Sequence, residues 1–362
     1  MSPDVMADHN SHNISSIIST TAVTQKQGYP AECLKNDDSL RVTLAVFYTI
    51  FFVLGLAGNL LALWVFLWLH SKKNSVRIFL INLAIADLVL MICLPFRVAF
   101  HANHNQWNLH PLICKIVGNV FYMNMYISII LLGLISIDRY VKLQRASSRQ
   151  KFLNSKQSTM TCCLLWVTAA VFIIPLIVVK ENSTAPKTCF QYKALHNVKW
   201  KAYANIVVVI VFWVVYGTLV TSYAKIAMGL LQISKKKPDF PNAAKYSRTA
   251  WKSFFVLFLF TVCFVPYHLS RIFYVYSQIT TASCLWIEIV DKINELSLLL
   301  SALNSCLDPI MYFVLCGSVR RTVLQVLNKY FCLSASAGSS STSYEIGRNQ
   351  REQAIQSDTS TV

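Results

Sequence analysis

Seven long apolar stretches restrict the fold of this chain more than any other feature of its sequence. Each is long enough to cross the hydrocarbon core of a bilayer as a helix, which takes about 20 residues. Hydrophobic residues make up 55% of the 362-residue chain and charged residues only 14%, whereas soluble domains carry roughly 25% charged residues. We therefore predict an all-α membrane protein, a seven-transmembrane helix bundle. The stretches cover roughly residues 42–69, 76–100, 111–137, 159–179, 202–230, 253–277 and 287–315.

Four segments follow from this pattern. Residues 1–40 contain no compact apolar run of the kind found in signal peptides and are expected to form an extracellular N-terminal segment. The bundle is assigned to residues 41–316. Residues 317–332 place apolar side chains at helical spacing opposite basic ones, which predicts a short amphipathic eighth helix on the inner membrane surface. Residues 333–362 are rich in Ser and Thr and predict a disordered cytoplasmic tail.

Basic residues in the connections predict the orientation of the bundle. Cytoplasmic loops carry an excess of Lys and Arg. The connections after the first, third and fifth stretches are basic, whereas the loops 101–110 and 278–286 contain neither Lys nor Arg. The loop 180–201 is an exception on the predicted outer side, with five lysines. This balance places the N-terminus outside a multi-pass plasma-membrane protein. The formal charge of +17 then reflects topology and attraction to anionic lipid rather than nucleic-acid binding.

Sequons and cysteines add candidate modification sites. Sequons at Asn13 and Asn182 fall on the predicted outer side and are candidate glycosylation sites. Cys332, which follows the predicted amphipathic helix, is a candidate for palmitoylation. Four other cysteines lie in or beside predicted outer segments, where disulfides persist, and they allow three pairings among which the residues do not choose. These four are Cys33, Cys114, Cys189 and Cys284.

Polar residues inside the apolar stretches mark a candidate site near mid-bilayer. A charge at that depth costs about 2.5–3.5 kcal/mol, so its presence suggests a function. Two carboxylates among hydroxyl and amide groups suit Na⁺ or a shared proton. A hydrogen-bond cluster that only fixes packing is the alternative. The candidate residues are Asp87, Asn124, Ser128, Asn304 and Asp308.

A second polar group lies nearer the predicted outer ends of the stretches. Two arginines indicate an anion site, and Glu295 could accept an ammonium group. Each side chain alone could reach the surface, and Glu295 could instead pair with Arg97 or Lys292. Together they predict a site for a zwitterionic or anionic ligand. The candidate residues are Arg97, Tyr122, His268, Arg271, Asn294 and Glu295.

Ordered motifs along residues 40–332 resemble those of a rhodopsin-like (class A) G-protein-coupled receptor. Cys114 stands twenty-five positions before Arg139. Phe264, Val215 and Asp308 stand where most of the family has Trp, Pro and Asn, and these departures resemble the purinergic-type branch, which includes receptors for nucleotides and lysophospholipids. The motifs are GN at 58–59, LAIAD at 83–87, DRY at 138–140, Trp166, Tyr223, FTVCFVP at 260–266 and DPIMY at 308–312.

The resemblance implies roles that the residues alone do not establish. It implies a disulfide between Cys114 and Cys189, and Cys33 with Cys284 would then tie the N-terminal segment to the last outer loop. In this family the acid of DRY holds Arg139 in the resting state, and agonist-driven opening frees it to meet the G protein. The implied coupling and activation residues are Asp138, Arg139, Tyr140, Tyr223, Phe264, Pro266, Asp308, Pro309 and Tyr312.

Within the branch, the resemblance is greatest to receptors for lysophosphatidylserine. It implies coupling to a heterotrimeric G protein of the Gi class, lowering of cyclic AMP, and arrestin and receptor kinases as further partners. Arg271 would then bind the phosphate, Arg97 the serine carboxylate and Glu295 the ammonium group, with hydrogen bonds from Tyr122 and His268. A nucleotide receptor of the same branch is the alternative.

Other protein classes have weaker support. A transporter or channel would need a substrate path and usually more spans or paired repeats. Enzyme motifs such as HExxH or GxSxG do not occur in suitable context, so we expect no enzymatic activity and no cofactor apart from an allosteric Na⁺. The chain ends in Ser360-Thr361-Val362, a pattern that PDZ domains bind by strand addition.

Overall fold

A computed structural model describes five long segments, residues 37–69, 75–144, 154–178, 199–236 and 243–315, and a few positions at 189–190, 192, 195, 320–321, 323–325 and 328. Within these residues the regular structure is entirely helical, and seven helices are long and apolar enough to cross a membrane, as predicted. They are α1 (Asp38–Trp64, extended by a π-helical turn Val65–Leu69), α2 (Ser75–Ala102), α3 (Pro111–Gln144), α4 (Ser155–Val178), α5 (Lys199–Lys236), α6 (Ala243–Ile279) and α7 (Cys284–Leu315).

The bundle is arranged around α3. This helix contacts α2, α4, α5 and α6, while α1 packs between α2 and α7, and α6 between α5 and α7. Of the 18 consecutive residues that form the apolar window of α3, 61% are buried, whereas only 6% are buried in the corresponding window of α4. The apolar surface of α4 therefore faces outward, where lipid replaces protein as the apolar environment.

Amide side chains join neighbouring helices. Asn59 Nδ2 donates to the backbone oxygens of Gly55 at 2.9 Å and Ser305 at 2.8 Å, which links α1 to α7. Trp166 Nε1 donates to Asn82 Oδ1 at 3.0 Å and links α4 to α2. These bonds are made inside an apolar medium, where an unpaired amide would be unfavourable.

Close approach of α1 and α7 depends on Gly58. A Cβ atom at this position would lie 2.7 Å from Cγ of Pro309. In the described helices, prolines also lie inside α2, α4 and α6, at Pro95, Pro175 and Pro266.

The Cys114–Cys189 disulfide is present, as the family resemblance implies, with a Cα–Cα distance of 5.9 Å. It ties the segment before α5 to the first turn of α3. Cys284 is also disulfide-bonded, but Cys33, its predicted partner, lies outside the described residues. We call the end of the bundle near Cys114 the disulfide end and the opposite end, near Asp138, the DRY end.

Several predicted sites fall on residues that the structure does not describe. They are Asn13, Asn182, Cys332 and Val362. Within 317–332, the predicted amphipathic helix, every described position is helical, and Arg320 and Arg321 are exposed.

Candidate functional site

The six predicted ligand-binding residues come together between α2, α3, α6 and α7 near the disulfide end. Arg97 on α2 contacts Glu295 on α7. The adjacent residue of α7, Asn294, accepts a hydrogen bond from Arg271 on α6 at 3.2 Å. Tyr122 of α3 is the fifth residue, with its ring centroid 5.8 Å from Cζ of Arg271. The sixth, His268, lies near Arg271 on α6. Residues 198 positions apart in sequence thus share one site.

Arg97 and Glu295 form a buried ion pair. Arg97 Nη1 lies 3.2 Å from Glu295 Oε2, and the two side chains are 3% and 13% exposed. The guanidinium also lies 4.2 Å from the ring centroid of Phe190 and 5.1 Å from that of Phe121. Aromatic faces attract a cation, so rings and carboxylate together stabilise this buried charge. Of the pairings considered for Glu295, the structure contains the one with Arg97.

Lys292 lies at the rim and pairs with other carboxylates. Its Nζ contacts Asp37 Oδ2 at 2.9 Å and Glu288 Oε1 at 3.0 Å. The hydrogen bond from Lys292, helped by the backbone N–H of Leu40, holds the pKa of Asp37 below its usual value. The Asp37 contact joins the start of α1 to α7.

Arg271 is buried without an acidic partner among the described residues. Its Nη2 and Nε donate to Asn205 Oδ1 at 2.8 and 3.2 Å, so amide oxygens from α5 and α7 accept its hydrogen bonds. Its Cζ lies 4.7 Å from the ring centroid of Tyr274 and 5.8 Å from that of Tyr267. Amides and rings orient the guanidinium, but no carboxylate of the described residues pairs with it directly, which makes it suitable for an anion.

His268 lies one helical turn deeper in α6 than Arg271. Its Nδ1 lies 2.8 Å from the backbone oxygen of Phe264, and its ring stacks on Phe212 with centroids 3.6 Å apart. The Nε2 atom is buried and has no hydrogen-bond partner among the described residues. His268 can therefore offer one ring nitrogen to a ligand from a fixed orientation.

Phe190 closes the site from the side of the disulfide. It follows Cys189 and adopts a φ of 56°, a left-handed conformation that bulky residues rarely adopt. Its ring meets those of Phe100 and Trp107 edge-on, with centroids 5.3 and 5.6 Å apart. Since the strained backbone is held by the disulfide and by ring packing, Phe190 is fixed above Arg97.

Sequence reasoning missed several residues of the site. Asn205 could have been found, because it is a single amide within a long apolar run of α5. The aromatic residues carry no comparable signal, since aromatic side chains are common in apolar helices. The missed residues are Phe121, Phe190, Asn205, Tyr267 and Tyr274.

The five residues of the predicted cation site are buried and come from three helices. Asn304 Nδ2 donates to Asp308 Oδ2 at 2.8 Å, and the carboxyl groups of Asp308 and Asp87 lie within hydrogen-bonding range of each other. Asn124 Nδ2 donates to Ser305 Oγ at 3.0 Å, and Ser128 Oγ lies 3.3 Å from Asn124 Oδ1. No group of three acidic, His or Cys ligands occurs among the described residues. Two adjacent carboxyl groups can share either a cation or a proton.

Several of the predicted activation residues are buried in the bundle, where they contact neighbouring helices. Tyr312 donates to Asp87 Oδ2 at 3.5 Å and meets the ring of Phe66 edge-on, with centroids 5.6 Å apart. Tyr223 on α5 donates to Ser136 Oγ on α3. Phe264 is fully buried and is followed by Pro266 inside α6.

The DRY triplet itself lies in the last turns of α3. Asp138 is buried, with 1% of its surface exposed. Arg139 and Tyr140 are helical, but their side chains lie outside the described part of the chain. Their coupling role stays a prediction.

Comparison with known proteins agrees with this architecture. Residues 58–312 match the family described as "7 transmembrane receptor (rhodopsin family)". The chain is 42% identical over 351 residues to "Probable G-protein coupled receptor 34" of Mus musculus, covering 96% of this chain and 91% of the relative. It is 30% identical over 306 residues to a purinoceptor of Bos taurus, covering 83% and 90%. It is 33% identical over 301 residues to "Uracil nucleotide/cysteinyl leukotriene receptor" of Homo sapiens, covering 82% and 79%.

Proposed function

We propose a ligand and a signalling partner for this chain, which belongs to the rhodopsin family of seven-transmembrane receptors. The chain is therefore a G-protein-coupled receptor of the plasma membrane and not an enzyme. The ligand is an extracellular lysophospholipid, and lysophosphatidylserine fits best. The partner is a heterotrimeric G protein of the Gi class, whose activation lowers cyclic AMP. The N-terminus is extracellular in this proposal.

The charge balance at the disulfide end carries the ligand proposal. Arg97 and Arg271 are both buried. Glu295 pairs with Arg97, and the other acid nearby, Asp291, bonds to Tyr274 rather than to Arg271. Among the described residues Arg271 therefore has amide partners but no carboxylate in contact. A single phosphate group would satisfy Arg271, since a buried guanidinium binds phosphate with charge-assisted hydrogen bonds.

The Arg97–Glu295 pair suits the rest of a serine head group. A zwitterionic amino acid carries a carboxylate and an ammonium group, and the ion pair offers a guanidinium and a carboxylate in return. Tyr122 and His268 lie near Arg271 and would add hydrogen bonds to the phosphate region. An acyl chain would lie against apolar helix faces, where each buried CH₂ contributes about 0.8 kcal/mol.

A nucleotide is the second candidate, because two relatives carry purinoceptor or nucleotide in their names. A nucleotide polyphosphate would require several cations, however. Nucleotide receptors of the branch are expected to carry a Lys on α7 where this chain has Asn294 followed by Glu295. An acid there would repel a polyphosphate and attract a primary amine.

Signalling would proceed from the site through α3 to the DRY end. We assign the contact with the G protein to Arg139, and regulation to receptor kinases and arrestin. Asp87 and Asp308, with their amide and hydroxyl neighbours, would bind an allosteric Na⁺ in the resting state. A PDZ protein bound at Val362 and acylation of Cys332 are further proposals from the sequence.

Agonist-dependent nucleotide exchange on Gi in membranes expressing the receptor tests the proposal. Lysophospholipids with serine, ethanolamine or no alcohol head group would be compared with nucleotide di- and triphosphates. We expect serine-headed lipid to be most potent and Arg271→Ala to weaken the response to every lipid. Lys199→Ala is the control, because Lys199 is an exposed cation at the start of α5, on the same end of the bundle. Activation by nucleotides but not by serine-headed lipid would contradict the proposal.

A further inference from the structure

Three buried polar atoms beside the Arg97–Glu295 pair have no hydrogen-bond partner among the described residues. They are Tyr48 Oη, Arg97 Nε and His101 Nε2. Their residues are 0%, 2% and 3% exposed. Unpartnered polar atoms are rare in protein interiors, because burial removes their bonds to water. Three such atoms close together can bond to a polar group that is not part of the chain.

The three residues lie close together on α1 and α2. The rings of Tyr48 and His101 are stacked, with centroids 5.9 Å apart and planes within 11° of parallel. Arg97 and His101 are four residues apart in α2 and so lie on the same helix face. Phe121 of α3 packs against these residues. Its ring meets that of Tyr48 edge-on, with centroids 6.3 Å apart, and its centroid lies 5.1 Å from Cζ of Arg97.

The hydrogen-bonding capacity of the group is mixed. His101 Nδ1 lies 2.9 Å from Asn105 Oδ1, an acceptor, so Nδ1 carries the hydrogen and Nε2 of a neutral ring is an acceptor. Arg97 Nε–H is a donor, and the Tyr48 hydroxyl can donate. Glu295 adds a carboxylate next to Arg97. Donors and acceptors side by side complement a carboxylate and an ammonium group on one carbon atom.

We infer that Tyr48, Arg97 and His101 form a subsite for the α-amino-acid part of the ligand head group. The ligand carboxylate accepts hydrogen bonds from Arg97 Nε and the Tyr48 hydroxyl. The ammonium group donates to His101 Nε2 and Glu295. This inference rests on the proposed function, since it requires Arg271 to hold the phosphate.

Two conservative variants separate the two halves of the subsite. Tyr48→Phe removes one hydroxyl and keeps the ring stack. It should weaken binding of a serine-headed lysophospholipid about tenfold and leave binding of an ethanolamine-headed one unchanged, because only the serine lipid has a carboxylate that loses a hydrogen bond.

His101→Phe keeps an aromatic ring against Tyr48. It should weaken binding of both lipids about tenfold and leave binding of lysophosphatidic acid unchanged, because that lipid has no ammonium group. The readout is displacement of a labelled serine-headed lipid, with surface expression measured for each variant.

Tyr276→Phe is the control, because Tyr276 is 60% exposed on α6. The inference is overturned if Tyr48→Phe weakens serine- and ethanolamine-headed lipids equally, or neither of them. If Tyr48→Phe does not reach the surface, loss of lysophosphatidic acid binding in His101→Phe is the result that overturns it. Failure of every lysophospholipid on the wild type instead contradicts the proposed function, so the two failures are distinguishable.

Discussion

Removal of the charge of Glu295 should destabilise the unliganded receptor. In Glu295→Gln the guanidinium of Arg97 stays buried, with 3% of its side chain exposed, but loses its counter-charge. Two unit charges 4 Å apart attract by about 4 kcal/mol at an effective dielectric constant of 20. Part of this loss is offset, because an amide is easier to bury than a carboxylate and its oxygen can still accept a hydrogen bond. We therefore expect a net loss of about 2 kcal/mol.

The assay is thermal unfolding of detergent-solubilised receptor followed with a thiol-reactive fluorophore. Three free cysteines, Cys93, Cys162 and Cys263, are buried and become reactive on unfolding. A loss of about 2 kcal/mol should lower the apparent melting temperature by roughly 4 °C. Glu288→Gln is the matched control, since it removes a partly exposed pair with Lys292 on the same helix. Such pairs contribute about 0–1 kcal/mol.

A double variant tests whether the loss belongs to the pair. Arg97→Gln leaves Glu295 buried without its partner and should also destabilise the receptor. The double variant, Arg97→Gln with Glu295→Gln, should lose less stability than the two single variants lose in sum. A melting temperature for Glu295→Gln equal to that of Glu288→Gln would refute this reasoning. Glu295 would then be hydrated, and its contact with Arg97 would contribute little.

Three further results are expected. Arg139→Ala should abolish nucleotide exchange on the G protein while ligand binding and surface expression persist, and normal signalling would reject its coupling role. Agonist affinity should fall as Na⁺ rises at constant ionic strength and Asp87→Asn should flatten this response; an intact receptor insensitive to Na⁺ would leave only a packing role. Gly58→Ala should lower the free energy of unfolding by about 1–3 kcal/mol, because its Cβ would lie 2.7 Å from Pro309. Gly217→Ala is the control and should not lower the melting temperature, since nothing lies within 4 Å of its Cβ. Equal effects of the two variants would contradict the close approach of α1 and α7.

Much of the bundle could be predicted from hydropathy, because the bilayer requires one apolar run for each span. The helix ends could not. The fifth and sixth apolar stretches cover 202–230 and 253–277, but α5 runs to Lys236 and α6 begins at Ala243. Hydropathy detects only the part of a helix inside the hydrocarbon, whereas backbone hydrogen bonding continues beyond it.

Most charged residues of the site could be predicted from the sequence, but the contacts between them could not. Arg97 and Arg271 are conspicuous in the sequence, because arginines are rare in apolar helices. The choice of Arg97 over Lys292 as the partner of Glu295 depends on where α2 and α7 meet, which no local pattern encodes. Phe190 could not be predicted either, because its position follows from the disulfide and from rings contributed by other segments.

The continuity of α3 has a thermodynamic consequence for the whole receptor. This helix of 34 residues has no proline after its first residue and is about 51 Å long. It carries Cys114, Tyr122, Asn124 and Asp138, so one stiff element belongs to the disulfide, the ligand site, the polar centre and the DRY end at once. If α3 couples these sites, a G protein bound at one end must change ligand affinity at the other by the same factor by which the ligand changes affinity for the G protein.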